Sequence, residues 1–531
     1  TGREKGLWSL LEKAVGRPPA DTPAVPLESC ALLPSRLTDA DLDHLRRLLG
    51  AQAVHTDRFE RLFHAAGKSY YDIIRLRMGR VDAAPDAVVY PGNTEQVQAL
   101  LAWASEQNVA VIPFGGGSSV VGGVEAQGGP GHRAVLTLDT TRLCAVLGID
   151  PVSRLATVQA GIYGPELEEA LQARGWTLGH YPQSFEYSTV GGWIAARGAG
   201  QQSNRYGTPA DMLCSARVVT PTGLLQTRDF PQSAAGPNVN HTIAGSEGIL
   251  GVIVDATLRV RPAPPARDFC SLLMPSFGAG ADLIRTLVQE ELPVATLRLS
   301  DAEETRFFAE FSAMKKTAPW QRAMFGRALR LTPWGGDPCM LLVGLVGTAD
   351  EVADTRRRVA QLGKAAGGLV LGSGPGHRWY EHRFEMPYLR DPLLDRGYAV
   401  DTLETSTPWS NIGALHLRVR EALRKSVEAT GSTPIVMAHI SHAYADGASL
   451  YFTFLFARDL QDPIGQWRRI KHAASDTILA HGGTISHHHG VGLDHLPWMD
   501  ADKGPHAIAA LRATRQALDP AGIMNPGKLL P

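Results

Sequence analysis

No two of the five cysteines, Cys30, Cys144, Cys214, Cys270 and Cys339, stand two residues apart, so the chain has neither the paired grip of a zinc site nor a dithiol redox motif. Scattered cysteines of this kind belong to a reducing, cytoplasmic setting. Long apolar runs are missing too. No stretch reaches the roughly 18–20 residues that cross a bilayer, and no targeting stretch or signal-like apolar core stands at the start, which leaves only peripheral membrane contact open. Excess charge is the third absence: 52 Lys and Arg oppose 53 Asp and Glu. Such a balance supplies no field for nucleic acid, so an acidic ligand needs a local basic site.

What is present is ordinary globular material. The 531 residues, 44% of them hydrophobic, suffice for several domain-sized cores. Residues 1–80 read as a mostly helical, charged segment, in which LTDADLDHLRRLLG offers a start at Thr38 or Asp39 and a stop at Gly50. From residue 81 an apolar strand, a helix capped by Asn93 with Gln96 three positions on, and a second strand lead straight into PFGGGSS. Short strands continue through RAVLTLD, LATVQAGI, SARVVTPTG and LGVIVDATLRVRP. Pro262, Pro264 and Pro265 exclude helix and central strand, which places a boundary near residue 265. Beyond it a second strand-helix-strand rhythm runs to about residue 500. The fold class is α+β.

The loop PFGGGSS, Pro113–Ser119, lacks both the GxGxxG spacing of a dinucleotide turn and the Lys-Ser/Thr ending of a phosphate loop. Alone it reads equally as a bare turn. Two further stretches in the same predicted domain, PQSFEYSTVGGWIAARGAG and AGSEGILGVI, are likewise rich in glycine and hydroxyls. Closely approaching backbone amides and small hydroxyls suit a pyrophosphate, whose charge is spread over several acceptors.

The three segments resemble the FAD-binding domain of the vanillyl-alcohol oxidase type of flavoprotein, and AGIYGPELEEAL and the terminal NPGKL fit it as well. The resemblance implies a two-subdomain FAD-binding domain at 81–265, an α+β cap domain for substrate at 266–500, and a C-terminal segment, 501–531, that packs back near the FAD domain. It also implies a cofactor set. Pro113, Gly115, Gly116, Gly117, Ser118 and Ser119 cradle the pyrophosphate; Pro182, Gln183, Ser184, Ser188, Thr189, Gly191, Gly192 and Gly198 flank flavin and phosphates; Gly245, Ser246, Glu247, Gly248 and Gly251 face the adenine side. Many relatives attach FAD through a His beside the glycine loop; here Ser118 follows the glycines, which predicts noncovalent FAD. Arg197 stands where relatives commonly carry Asn.

TISHHHGVG puts three histidines, His487, His488 and His489, in a glycine-ended turn, which reads either as a metal site or as a polar surface loop. The full string, with ETSTPW (404–409), YLRD (388–391), TLRLSD (296–301) and YADGASLYF (444–452), resembles the alkyldihydroxyacetonephosphate synthase family, in order over residues 80–495. That family makes ether lipids without net redox and without a metal. By resemblance the active-site tyrosine falls on Tyr451, the phosphate-binding arginine on Arg390, a further arginine on Arg298 and the histidine cluster on His487–His489. The expected substrates are acyl-dihydroxyacetone phosphate and a fatty alcohol, and the expected assembly a homodimer. Arg298 as an ordinary ion-pair residue and Tyr451 as plain strand packing are the competing readings. An FAD-linked oxidase or dehydrogenase of a hydroxy acid or alcohol is the alternative function. His439 and His442 stand where family members carry other polar groups, and Phe452, Phe454 and Phe456 read as core or as lining for a lipid chain.

Overall fold

Helix signals in the sequence are used where they stand in the computed structural model, which describes residues 2–313 and 332–531. Thr38 Oγ1 accepts the Asp41 N–H, and the Asp41 carboxylate accepts the Thr38 N–H at 2.9 Å; the helix Asp39–Leu49 follows and stops at Gly50. Asn93 accepts the Gln96 N–H at 2.9 Å, but the Gln96 side chain accepts from Gly92 and not from Asn93. The reciprocal box predicted for the helix Thr94–Glu106 is therefore displaced by one residue.

The described chain divides into two units. One holds residues 24–200, 206–263 and 488–531; the other holds 2–23, 201–205, 264–313 and 332–487. We call them the glycine-loop unit and the seven-stranded unit.

The glycine-loop unit has two main sheets. β1 (Val54–His55), β2 (Ala87–Val89), β3 (Val109–Phe114) and β4 (Ala134–Asp139) run in the order β1-β2-β4-β3, with β2 and β3 parallel to β4. β5 (Val146–Asp150), β6 (Leu155–Gln159), β8 (Leu213–Thr220), β9 (Gly223–Gln226) and β10 (Val252–Arg259) form an antiparallel sheet in the order β5-β6-β10-β8-β9, beside the two-stranded β7 (Trp176–Thr177) and β11 (Arg261–Pro262). One apolar cluster joins them: Val89, Val111 and Leu136 from the first sheet pack with Val219, Val252 and Val254 from the second. Leu45, Leu49 and Val54 belong to the same cluster, so part of the 1–80 stretch is built into this core. The tail is built in as well. Val111 donates to Ile523 O at 2.8 Å and Asn525 donates to Val111 O at 2.9 Å, which lays residues 523–525 along β3.

The seven-stranded unit is one antiparallel sheet in the order β15-β12-β14-β13-β17-β18-β16, formed by β12 (Ala266–Met274), β13 (Val294–Ser300), β14 (Cys339–Gly347), β15 (Leu369–Gly372), β16 (Tyr398–Pro408), β17 (Ile435–Ala443) and β18 (Gly447–Ala457). Alternation along β18 sorts its side chains onto two faces. Phe452, Phe454 and Phe456 take one face, each 0% exposed, and the helix Ile412–Glu428 packs on β18 with His416 stacked near Phe452. They are core residues, each contributing about 2–3 kcal/mol of apolar burial. Tyr451 takes the other face. Among the described residues no helix is long and apolar enough to cross a membrane.

Candidate active site

β3 ends at Phe114, and the three glycines that follow leave no room for a side chain: the Thr189 side chain lies against Gly115, the Tyr187 backbone against Gly116, and the Phe114 ring against Gly117, whose φ is +64°. A Cβ on Gly116 would sit 1.8 Å from Tyr187 O, and one on Gly115 would sit 2.2 Å from Thr189 Oγ1. The third segment joins them: a Cβ on Gly248 would sit 3.0 Å from Pro113 Cγ. The three glycine-rich stretches seen in the sequence are thus one assembly. Ser119 folds the end of the loop, its Oγ accepting the Gly123 N–H at 3.0 Å and its carbonyl accepting from Lys68 at 2.6 Å.

The amides of the loop itself are left over. Among the described residues no protein acceptor takes the backbone N–H of Gly115, Gly116, Gly117, Ser118 or Ser119, and the buried Thr189 Oγ1 has no partner either. Such a row of donors fits a pyrophosphate. His180, 1% exposed, sits edge-on to Trp193 with neither ring nitrogen partnered, and burial pushes its pKa down to about 3, so it is neutral. Other side chains in these segments have protein partners. Ser188 Oγ donates to Ser184 O at 2.8 Å and accepts from Trp193 Nε1 at 2.7 Å. Arg197 donates to Ala244 O at 3.3 Å. A Cβ on Gly251 would sit 2.3 Å from Val219 O, so that glycine serves strand packing.

In the seven-stranded unit, register places Ser300, His439, Tyr451 and Glu404 in one row across β13, β17, β18 and β16. Arg298, two residues before Ser300, shares their face. Its guanidinium meets Glu304 at 2.8 Å and His439 Nε2 at 2.9 Å, and the Tyr451 ring stacks on His439 with centroids 5.0 Å apart. Burial opposes ionisation of Glu304, yet Arg298 and His439 overcome it and hold its pKa at about 2. Burial and the neighbouring Arg298 push the His439 pKa down, so Arg298–Glu304 is the charged pair and His439 a neutral bridge. Arg298 thereby has a carboxylate partner of its own beside this row.

Burial pushes the Tyr451 phenol up to about 12; a Thr402 hydrogen bond pulls against this and Glu404 adds to it, while Arg390, at the start of the helix Arg390–Asp395, favours the phenolate. The net result is a neutral phenol near pH 7. A tyrosine already ionised before substrate arrives does not fit these surroundings.

The histidine run is held by carboxylates on either side. Glu404, 0% exposed, accepts the His487 N–H at 2.6 Å and the Ser486 hydroxyl at 3.0 Å. His487 Nε2 lies 2.6 Å from Tyr444 Oη, and its ring centroid lies 5.1 Å from that of His442. The division between the units falls between His487 and His488. In the glycine-loop unit, Glu247 accepts the N–H of Val491 at 2.6 Å and of Gly492 at 2.7 Å. Sequence reasoning named Glu247 for the cofactor and gave no role to Glu404, Glu304 or His180. Glu404 heads the ETSTPW string and His180 precedes PQS, so each stood beside a segment already singled out.

The glycine-loop unit thus carries a row of amides suited to a pyrophosphate, and the seven-stranded unit a phenol beside an arginine–glutamate pair and His487. The pattern described as "FAD binding domain" matches residues 85–228, and that described as "FAD linked oxidases, C-terminal domain" matches 263–529. The chain is 35% identical over 514 residues, 96% of its own length and 84% of the relative's, to the alkyldihydroxyacetonephosphate synthase of Dictyostelium discoideum. A solved alkyldihydroxyacetonephosphate synthase superposes with TM-score 0.84 at 32% identity, covering 99% of this chain and 92% of that one. p-Cresol methylhydroxylase, at TM-score 0.65 and 17% identity over 94% of this chain and 98% of its own, shares the fold. The class is therefore that of FAD-dependent flavoenzymes with the vanillyl-alcohol oxidase fold. Within it, this chain belongs to the alkyldihydroxyacetonephosphate synthase family.

Glu304→Gln tests the charged pair. Because the folded pKa lies near 2 and the ordinary value is 4.5, the stabilisation is complete above pH 4.5 and is lost as pH falls toward 2. Denaturant titration should show a loss of about 2–3 kcal/mol at pH 7 that narrows below pH 4.5. Equal stability of the two proteins at pH 7 contradicts the pairing.

Proposed function

We propose that the chain exchanges the acyl group of acyl-dihydroxyacetone phosphate for a long-chain fatty alcohol, forming the ether bond of alkyl-dihydroxyacetone phosphate. The observation that carries the reading is its similarity to a curated synthase over 96% of the chain, through both units. FAD is held noncovalently, its pyrophosphate on the amides of Gly115–Ser119, with Ser118 where a tethering histidine would stand. When bound, the flavin supplies an electron-accepting ring for the reacting carbon.

The protein's own residues handle the phosphate and the protons. Arg390 takes the substrate phosphate, for which the planar, multiply donating guanidinium is suited. Arg298, already paired with Glu304, orients the substrate instead of neutralising it. The proton on the ester-bearing carbon goes to an imidazole of His487–His489, whose ordinary pKa of about 6.5 lies near neutrality. Tyr451 stays a phenol and donates a hydrogen bond to the substrate. The bond from that carbon to the acyl oxygen breaks and the fatty acid leaves as carboxylate; the alcohol oxygen bonds to the same carbon as its proton passes to solvent, and the imidazolium returns a proton to that carbon. No electrons are gained or lost overall. The resemblance also carries a homodimer and peripheral contact with membranes, checked by sedimentation and liposome flotation; a monomer, or protein found wholly outside the lipid fraction, contradicts each in turn.

The direct test supplies the holoenzyme with palmitoyl-dihydroxyacetone phosphate and 18O-hexadecanol under anaerobic conditions. Expected are 18O in the ether product, released palmitate and flavin still oxidised after turnover. Flavin bleached until oxygen or another acceptor is added, with no ether formed, would establish the oxidoreductase alternative. Arg390→Ala should raise the KM for the phosphate substrate by about 10–100-fold, from loss of a charged hydrogen-bonding pair. An equal loss with a phosphate-free analogue contradicts that assignment.

A further inference from the structure

We propose that Glu247 is a positioning residue: its carboxylate fixes the turn that carries His488 and His489 to the cofactor cradle. The inference rests on the synthase reading, in which those histidines act on substrate. Glu247 lies within AGSEG, one of the three glycine-rich segments, and in the resemblance it faces the cofactor. Its side chain points elsewhere. Both carboxylate oxygens are taken up by backbone of the GVG that ends the histidine run, Oε1 by the Val491 N–H at 2.6 Å and Oε2 by the Gly492 N–H at 2.7 Å.

Glu247 is itself fixed at both backbone ends. Its φ is +47°, its N–H donates to Ala195 O at 3.0 Å, and its carbonyl accepts from Asn525 Nδ2 at 2.6 Å. The same Asn525 amide donates to Gly123 O at 3.0 Å, and the Gly123 N–H reaches Ser119 Oγ at 3.0 Å. A continuous hydrogen-bonded path therefore runs from the glycine loop through Gly123, Asn525 and Glu247 to Val491, two residues from His489. All of it lies within the glycine-loop unit.

The turn is shaped to meet this carboxylate. Gly490 has φ +85°, and a Cβ there would sit 2.9 Å from Glu247 Oε1; Gly492 has φ +52°, and a Cβ there would sit 2.1 Å from Val121 O. Val121 O also accepts the N–H groups of Leu493 and Asp494 at 2.9 and 3.1 Å, which closes the turn on the segment following the glycine loop. An acceptor-only side chain is required, because both groups facing it are donors. Burial pushes the Glu247 pKa up to about 7 while the two N–H groups pull it down, so the form that holds the turn is the ionised one, populated above that pH.

Glu247→Gln keeps the size but sets an NH2 against an N–H. In the holoenzyme, kcat should fall tenfold or more, with the KM for palmitoyl-dihydroxyacetone phosphate unchanged and the FAD Kd, measured by flavin fluorescence, within threefold of the parent. A kcat within twofold of the parent overturns the proposal, and so does FAD affinity lost in step with kcat, which would make Glu247 a cofactor ligand. Gly490→Ala, which presses on the same oxygen from the turn side, serves as the second variant with the same expectations should Glu247→Gln not fold. His488→Ala and His489→Ala are assayed in parallel. Full activity in both sinks the histidine reading itself, whereas their inactivity beside a fully active Glu247→Gln sinks only the present proposal.

Discussion

Carboxylates holding backbone N–H groups on both sides of three histidines are the constraint from which the candidate chemistry follows. Glu404 takes the amide of His487, and Glu247 takes those of Val491 and Gly492. A glycine-ended turn of polar residues has no sheet or helix to order it, and fixing each residue of such a turn costs about 1–2 kcal/mol of backbone entropy. Charge-assisted hydrogen bonds to main chain are among the few local interactions strong enough to offset that cost. Within the seven-stranded unit Glu404 is the acceptor for His487, and within the glycine-loop unit Glu247 is the acceptor for the turn after His489.

The same logic of carboxylates matched to donors recurs at Arg298. There Glu304 takes the guanidinium and His439 bridges the pair to the Tyr451 ring, leaving the phenol neutral in a setting that disfavours its ionisation. Proton transfer in this account therefore passes to imidazole, with tyrosine as donor.

Local chemistry was readable from the sequence; distant partnerships were not. Thr38, Asn93 and Gly50 act within a few residues of themselves, and so cap and stop helices where the pattern puts them. The three glycine-rich segments could be grouped because they share a composition, and their glycines do allow the chain to pack closely on itself. Alternation in SLYFTFLF separated Tyr451 from Phe452, Phe454 and Phe456 without saying which face was core; packing by the helix Ile412–Glu428 decides it. Glu404 meets His487 across 83 residues and Glu247 meets Val491 across 244, and no periodicity or cap signal spans such distances. In the stretch 1–80, the helix positions Leu45 and Leu49 and the strand position Val54 enter the core, contacts with distant strands that its charged pattern does not announce.

Amide hydrogen exchange across residues 484–495 tests the central constraint most directly, since this stretch precedes the short helix Leu496–Trp498 and has no helix or strand of its own. The N–H groups of His487, Val491 and Gly492 should exchange far more slowly than those of a free peptide, with protection at His487 lost in Glu404→Gln and at Val491 and Gly492 in Glu247→Gln. Exchange of all three at free-peptide rates in the parent protein would show that the carboxylates do not hold the turn.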